Sequence, residues 1–178
     1  MSRTSYKILK DDYNPYFITS TVVDWLPLLG KPENAEIILN SIRFLQEENR
    51  ITLYAYVIMK THLHLVASSD DIRKEIANFR SYTARRSIDY LEENNQQTVL
   101  RKLRQQKLSV RKDREYQFWQ GGVQPKRIYD RKMMMQKITY IHENPVRKGY
   151  VEKAEDWLYS SAGFYIGEDG LLEVCIDW

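Results

Sequence analysis

The residue types and spacing that best suggest chemistry in this sequence are two histidines inside a short apolar run. His62 and His64 occur in "VIMKTHLHLVASSD", residues 57–70. Because side chains alternate along a β-strand, both imidazoles would project from one face, about 7 Å apart, with the intervening leucine on the other. Two imidazoles at this spacing can converge on one metal ion. Such pairs also occur in half-buried strands without a ligand, so the prediction of a metal site needs further donors nearby.

A later segment, "KITYIHENP" at residues 137–145, offers those donors. Tyr140 and Asn144 are four residues apart and would share a helix face, whereas His142 would lie about 200° round from Tyr140. If that face meets the histidine strand, Asn144 can give an amide oxygen to the ion and Tyr140 can reach whatever the ion holds. The ordinary alternatives are that asparagine before proline ends a helix and that tyrosine in a helical stripe packs in the core.

A tyrosine phenol is a poor nucleophile unless its target is activated, because its pKa lies near 10. A phosphodiester bound to a divalent ion is such a target, since the ion neutralises oxygens and orients the phosphorus for in-line attack. Three neutral protein ligands would leave the charge of the ion and several coordination positions for the phosphate. Imidazoles alone would suit Zn²⁺ or Mn²⁺, but added amide and phosphate oxygens make Mg²⁺ or Mn²⁺ the expected cofactor.

The elements that must position these residues follow from hydrophobic periodicity. The predicted strands are residues 16–23, 52–59 and 62–67, with a return to the sheet within 116–129, and the predicted helices are 31–49, 72–91 and one that Asp130 caps and Pro145 ends. Residues 94–112 are interpreted as loop or helix end, and one helical turn is expected near 154–159. The order βαββαβ followed by another helix predicts an α+β fold, an antiparallel sheet with helices on one side.

Length and composition favour one domain over residues 1–178 in a reducing compartment. The single cysteine, Cys175, excludes an internal disulfide framework. No apolar N-terminal stretch has the length of a signal peptide and no apolar run approaches about 18 residues, so a cytoplasmic protein without a membrane partner is expected. The formal net charge is only +3, but residues 101–114, "RKLRQQKLSVRKDR", hold seven basic residues against one acid. That run is either an ordinary solvated loop or a surface for a polyanion.

Two segments together resemble a known family. "THLHLVAS" resembles the His-hydrophobic-His motif of HUH single-strand nucleases, and "ITYIHENPVRKGYVEKAEDWLYSSA" is similar to the tyrosine helix and downstream signature of REP-associated tyrosine transposases. The matching positions are Tyr140, Asn144-Pro145, Arg147-Lys148-Gly149, Asp156-Trp157 and Ser160-Ser161. "FWQGG" at 118–122 also resembles the aromatic segment of the family, and the resemblance extends over about residues 16–165. Thr61 departs from the family pattern, which often has Glu or Asp before the first histidine.

The resemblance implies a ferredoxin-like HUH domain in which Tyr140 attacks a phosphodiester of single-stranded DNA, giving a 5′-phosphotyrosine and a free 3′-hydroxyl. It implies that His62, His64 and Asn144 bind Mg²⁺ or Mn²⁺ and that the substrate is a hairpin or palindromic repeat. The chain could act as a monomer or a homodimer. Two alternatives stay open: a catalytically silent module that binds hairpin DNA, and a metal hydrolase in which water attacks instead of tyrosine.

With that resemblance, the basic segments become candidates for contacts with DNA phosphates, and an aromatic ring, that of Trp119 or Tyr116, for stacking on a base. The candidate DNA-binding residues are Arg101, Lys102, Arg104, Lys107, Arg111, Lys112, Arg114, Trp119, Lys126, Arg127 and Arg131. The bland alternative for the aromatic residues is a place in the core, because the spacing in "YQFW" suits a strand.

Overall fold

The structure, a computed structural model, describes residues 14–107 and 115–178. Its strands and helices are β1 (Tyr16–Thr21), α1 (Pro32–Glu47), β2 (Thr52–Ile58), β3 (His62–Ser68), α2 (Ile72–Glu93), α3 (Gln97–Gln105), β4 (Lys126–Arg127), α4 (Arg131–Arg147) and α5 (Ala162–Tyr165). Short 3₁₀ turns lie at Val23–Trp25, Leu28–Gly30 and Ala154–Asp156. Within the described ranges, no helix combines the length and apolar character needed to cross a membrane.

The four strands form one antiparallel sheet in the order β2-β3-β1-β4. This order confirms the predicted α+β fold with a ferredoxin-like sheet, in which the third strand lies between the first two. The register places Thr19 opposite His64 and Thr21 opposite His62. Both histidines and both threonines therefore belong to one face of the sheet, as strand alternation requires.

Helices cover both faces of this sheet. On one face Leu63 and Leu65 pack in a core with residues of α1, α2 and α3, among them Ile42 and Phe79. On the other face Val57 and Val66 pack with Ile138 and Ile141 of α4. Helices α1 and α2 share one side, but the prediction that the helices lie on one side of the sheet is wrong, because the apolar residues of α4 pack on the opposite face, that of the histidines.

The chain after α4 returns along the edge of β2 that has no neighbouring strand. Backbone hydrogen bonds join Ile58 N to Tyr159 O at 2.8 Å, Ser161 N to Tyr56 O at 3.0 Å and Cys175 N to Leu53 O at 2.8 Å. The helical turn expected near 154–159 is found as the 3₁₀ turn Ala154–Asp156, with α5 following it. The tail therefore completes the hydrogen bonding of β2 without forming a strand.

Two segments between α2 and α4 differ from the prediction. Helix α3 occupies part of the segment interpreted as loop or helix end, because Leu100 and Leu103 are buried in the first core and the surrounding Gln, Lys and Arg residues are good helix formers. The sequence predicts a strand within residues 116–129, but only the two residues of β4 and one bridge between Val22 and Trp119 pair with the sheet. Gly122, at φ +77°, and Pro125 interrupt the ladder between them.

The prediction that Pro145 ends α4 is wrong. The helix continues to Arg147, and Lys148 N still donates to Asn144 O at 3.1 Å. Pro145 has no N–H group, so one hydrogen bond of the helix is missing, but the residue is buried. Gly149, at φ +69°, ends the helix: Gly149 N donates to Val146 O, and Tyr150 N donates to Pro145 O. The extra turn decides which residues share the face of Tyr140. At the other end Asp130 caps α4 as predicted, accepting from Met133 N at 2.7 Å.

Candidate active site

The two histidines of β3 lie side by side under α4. Their ring centroids are 4.8 Å apart, and the residues are only 8% exposed for His62 and 5% for His64. Leu63 between them points into the opposite core. The strand therefore presents a pair of imidazoles on one face, as its alternation predicts.

A threonine holds each imidazole through its Nδ1 atom. Thr61 Oγ1 shares a hydrogen bond of 2.9 Å with His62 Nδ1, and Thr19 Oγ1 shares one of 2.8 Å with His64 Nδ1. Among the described residues, His64 Nε2 is buried and has no hydrogen-bond partner. Since a buried polar atom without a partner costs free energy, this nitrogen is the observation that indicates a ligand.

Burial keeps both imidazoles neutral. It lowers the pKa of His62 to about 4, with a smaller contribution from the positive charge of Lys148. It lowers the pKa of His64 to about 3, with further contributions from His62, Arg147 and Lys137. Neutral imidazole is the form that ligates a metal, so the pair is ready to bind one at neutral pH.

Tyr140 lies against the same pair. Its ring centroid is 5.4 Å from that of His64 and 5.8 Å from that of Phe17, and the residue is 44% exposed. The predicted meeting of the tyrosine helix with the histidine strand is therefore found within one chain. Asn144 follows one helical turn later and is 4% exposed. His142 is directed elsewhere, with Nε2 2.9 Å from Ser161 Oγ, as the 200° offset requires.

The donor set fits a divalent ion with open coordination positions. Across residues 14–107 and 115–178, no three His, Cys, Asp or Glu side chains converge on a common point. An ion at His62 and His64 would therefore be completed by an amide oxygen, for which Asn144 is the candidate, and by ligands from outside the protein. The unpartnered Nε2 atom and the neutral imidazoles agree with this arrangement.

Two cations beside Tyr140 were not among the predicted site residues. The Arg147 guanidinium lies 4.6 Å from the Tyr140 ring centroid and donates to the Tyr140 carbonyl at 2.7 Å. Lys137 Nζ lies 4.9 Å from the ring of Phe17. Spacings of three, four and three residues place Lys137, Tyr140, Asn144 and Arg147 on one helical stripe. The signal was present in the sequence, but ending the helix at Pro145 removed Arg147 from it.

Trp25 is a second residue that the sequence analysis missed. It is 60% exposed and its ring lies 5.8 Å from that of His62. Asp24 and Trp25 have φ values of +54° and +52°, which are uncommon for residues other than glycine and cost conformational energy. The turn thus holds a large aromatic ring at the surface next to the site. Nothing in the local sequence "VVDW" distinguishes this ring from a core residue.

The structure divides the predicted DNA-binding residues between two faces. Lys126 and Arg127 on β4 and Arg131 at the start of α4 are exposed, and Arg131 and Tyr140 line one open depression of about 700 Å³. Arg101, Lys102 and Arg104 are also exposed, and Lys107 follows their helix. That helix, α3, is anchored in the core on the other face of the sheet, so these residues are not brought to the site. Arg104 is also paired with Glu115. Arg111, Lys112 and Arg114 lie outside the described residues.

The interpretation of Trp119 as a base-stacking residue is wrong. The residue is 6% exposed, its Nε1 atom donates to Thr83 Oγ1 at 3.1 Å, and its ring packs on Phe118 at 5.0 Å. It therefore belongs to the core, which was the alternative. Tyr116 is half-buried, and the Arg104 guanidinium lies over its ring, 5.2 Å from the ring centroid.

Comparisons with known proteins find relatives that carry the name of the family that the motifs resemble. No protein-family model matches the chain. A Haemophilus influenzae protein named "Putative REP-associated tyrosine transposase" is 33% identical over 107 residues, which cover 60% of this chain. The match spans 56% of that relative, just over half of its length. A solved structure of a REP-associated tyrosine transposase bound to a REP hairpin has 18% identity and a TM-score of 0.63, covering 98% of this chain and 90% of its own. The Haemophilus relative agrees with the resemblance in sequence, and the solved structure shows the fold.

Proposed function

We propose that this chain is a REP-associated tyrosine transposase that cleaves and rejoins single-stranded hairpin DNA through a 5′-phosphotyrosine intermediate. The observation that carries the proposal is the position of Tyr140, exposed and with its ring 5.4 Å from that of buried, neutral His64. The name of the Haemophilus relative and the hairpin bound in the solved structure support the reaction and the substrate class.

The metal would be held by His62, His64 and Asn144, and Mg²⁺ or Mn²⁺ suits their nitrogen and amide oxygen donors. When bound, the ion supplies Lewis-acid polarisation of the phosphodiester. Thr19 and Thr61 fix the ring orientation through the two Nδ1 atoms, which leaves the Nε2 side of each ring for the ion. The burial of both imidazoles supports this role because it keeps their lone pairs free of protons.

Tyr140 would then act as the nucleophile. Its phenol oxygen forms a bond to phosphorus while the bond from phosphorus to the 3′ oxygen breaks. The phenol loses its proton, and the departing 3′ oxygen gains one to become a hydroxyl. The phosphotyrosine keeps an ester bond, so a 3′-hydroxyl can reverse the step without an external energy source. Arg147, 4.6 Å from the ring, offers a positive charge for the phosphate oxygens.

The path of the DNA is proposed from the exposed groups around this centre. Lys126 and Arg131 would neutralise phosphates on the α4 side, and Arg127, whose strand partner Tyr16 belongs to the other face, would do so at the β4 edge of the sheet. The exposed ring of Trp25 would stack on a base near His62. The contact of Tyr140 with His64 of the same chain supports a site that works in a monomer, or independently in each half of a dimer.

The test is covalent capture of DNA. Hairpin oligonucleotides with single-stranded flanks are labelled at the 3′ end, because that fragment stays on the tyrosine in a 5′-phosphotyrosine. They are incubated with the protein and Mg²⁺ or Mn²⁺, and adducts that survive denaturation are counted on a gel. We expect an adduct that EDTA and Tyr140→Phe abolish. Tyr82→Phe, at an exposed tyrosine on α2, is the matched control and should leave the adduct unchanged.

The same assay separates the alternatives. Binding without an adduct at any metal concentration would identify a silent hairpin-binding module. Cleaved products without an adduct, formed equally well by Tyr140→Phe, would identify a hydrolase in which water attacks.

A further inference from the structure

A polar pocket of about 360 Å³ opens beside the histidines at the β4 side of β1. Two pairings define its ends: the bridge between Val22 and Trp119, and the pair of Phe17 with Lys126. Between these pairings, residues 119–126 face residues 17–22, so the outer segment is two residues longer and bows away from β1. The pocket occupies the space left between them.

The segment around the pocket is held at its end while its middle stays open. Gln120 N donates to Thr21 O at 2.8 Å, and the Arg80 guanidinium donates to Gln120 O. Gly121 and Gly122 both line the pocket, and a Cβ added at either would meet no atom within 4 Å. The glycines therefore leave room that no part of the described chain fills.

The pocket also receives an unpaired piece of sheet edge. Pro15 O accepts from Ile128 N and Thr21 O accepts from Gln120 N, so odd-numbered residues direct their main-chain groups toward this side. Thr19 is also odd-numbered, so its main-chain groups point toward the β4 side of β1. It lies beyond the two residues of β4, however, and has no strand partner on that side among the described strands. Within residues 14–107 and 115–178, its N–H and C=O groups are therefore available to a ligand.

The chemistry of the lining suits one unpaired nucleotide. Gln120 and Gln124 carry exposed amides, which can donate and accept along the edge of a base. Lys126 supplies a positive charge for a phosphate, while Phe17 and Val123 supply apolar surface for a base or sugar. The volume lies within the range of small-ligand pockets.

We propose that this pocket, lined by Thr19, Gln120, Gly121, Gln124 and Lys126, binds one unpaired nucleotide of the DNA strand and selects its base. The inference rests on the proposed function for the identity of the strand. Thr19 links the two sites, because its hydroxyl holds His64 while its residue lines the pocket. A nucleotide held here would therefore lie next to the phosphate presented to Tyr140, and its base would help to set the cleavage position.

The test uses Tyr140→Phe protein, so that binding is measured without covalent capture. Hairpin oligonucleotides with randomised single-stranded flanks are selected for binding and sequenced. We expect one flank position with a strong base preference, weakened about 5- to 150-fold by Gln120→Ala or Gln124→Ala. Gly121→Leu, which fills the pocket without requiring a positive φ, should act in the same direction. Gln105→Ala, at an exposed glutamine on α3, should preserve the preference.

A second readout locates the nucleotide directly. Photocrosslinking from 5-iodouracil placed at each flank position in turn should label a peptide within residues 119–126, and thermal unfolding checks that each variant is folded. Equal base preference in all variants, or crosslinks that avoid 119–126, would overturn the inference. If Tyr140 protein forms the adduct but these results are negative, the pocket inference alone fails. If crosslinks appear without any adduct, the pocket is supported and the transposase proposal fails.

Discussion

The hydrogen bond between Thr19 and His64 gives direct access to the proposed metal site. Thr19 Oγ1 lies 2.8 Å from Nδ1 of an imidazole that is 5% exposed. Thr19→Val preserves the β-branched shape on β1 but removes the hydroxyl. The variant should lose the bond that fixes the ring with its Nε2 lone pair directed at the ion.

The size of the effect follows from what the bond does in each state. Loss of an outer partner of a metal-ligating histidine typically lowers metal affinity by about 10- to 100-fold. The unpaired ring nitrogen, worth about 1–3 kcal/mol when buried, is present in both the metal-free and the metal-bound variant and largely cancels. We therefore expect the lower end, a loss of about tenfold, or about 1.4 kcal/mol.

The assay is calorimetric titration of the protein with Mn²⁺ in the absence of DNA. Thr21→Val is the matched control, because Thr21 lies on the same strand and face but the Nδ1 atom of the opposite histidine, His62, is held by Thr61. His64→Ala sets the scale for a lost ligand. Thr19→Val protein that binds Mn²⁺ as tightly as the parent, while His64→Ala does not, would refute the reasoning.

Three further outcomes follow from the same contacts. Burial lowers the pKa of His142 to about 4, so between pH 6.5 and 4 the unfolded chain takes up the proton first. As the pH falls through that range, this one group should reduce the free energy of unfolding by up to about 3 kcal/mol. In urea titrations at a series of pH values, His142→Gln should therefore lose less stability on acidification than the unchanged protein, and the same pH dependence in both proteins would contradict this. Arg147→Met should weaken hairpin binding and lower its salt slope by about one, whereas Lys102→Met on α3 should not; equal effects would contradict the division of basic residues. Trp119→Ala should cost about 3–5 kcal/mol in unfolding experiments because the ring is buried. A loss of DNA affinity at unchanged stability would instead restore its DNA role.

The geometry that depends on a repeating backbone period could be predicted from the sequence. Alternation along "HLHLV" places His62 and His64 on one face, and the helical period separates His142 from Tyr140. Both relations are set by the local backbone and survive any packing arrangement. The meeting of that strand and helix followed from chemistry and resemblance, because no local pattern encodes a contact between residues so far apart.

The predictions that failed concern features where tertiary packing overrides a local sequence rule. Pro145 would end an isolated helix, but its burial and the glycine closure at Gly149 carry α4 one turn further. The segment "YQFW" at residues 116–119 is compatible with both core and surface positions for Trp119, and only the burial of the ring decides between them. Thr19 is 45 residues from His64 in sequence, so its hydrogen bond has no local signature.

The tail after α4, which runs alongside β2, also has a consequence for association between molecules. An uncovered strand presents a row of N–H and C=O groups on which a strand from another molecule can form. Residues 159–161 and Cys175 already satisfy such groups on β2, and β4 at the opposite side of the sheet has only two residues. Detaching the tail would turn β2 into a template for strand addition, so the segment that completes the sheet also protects the folded protein against aggregation through this strand.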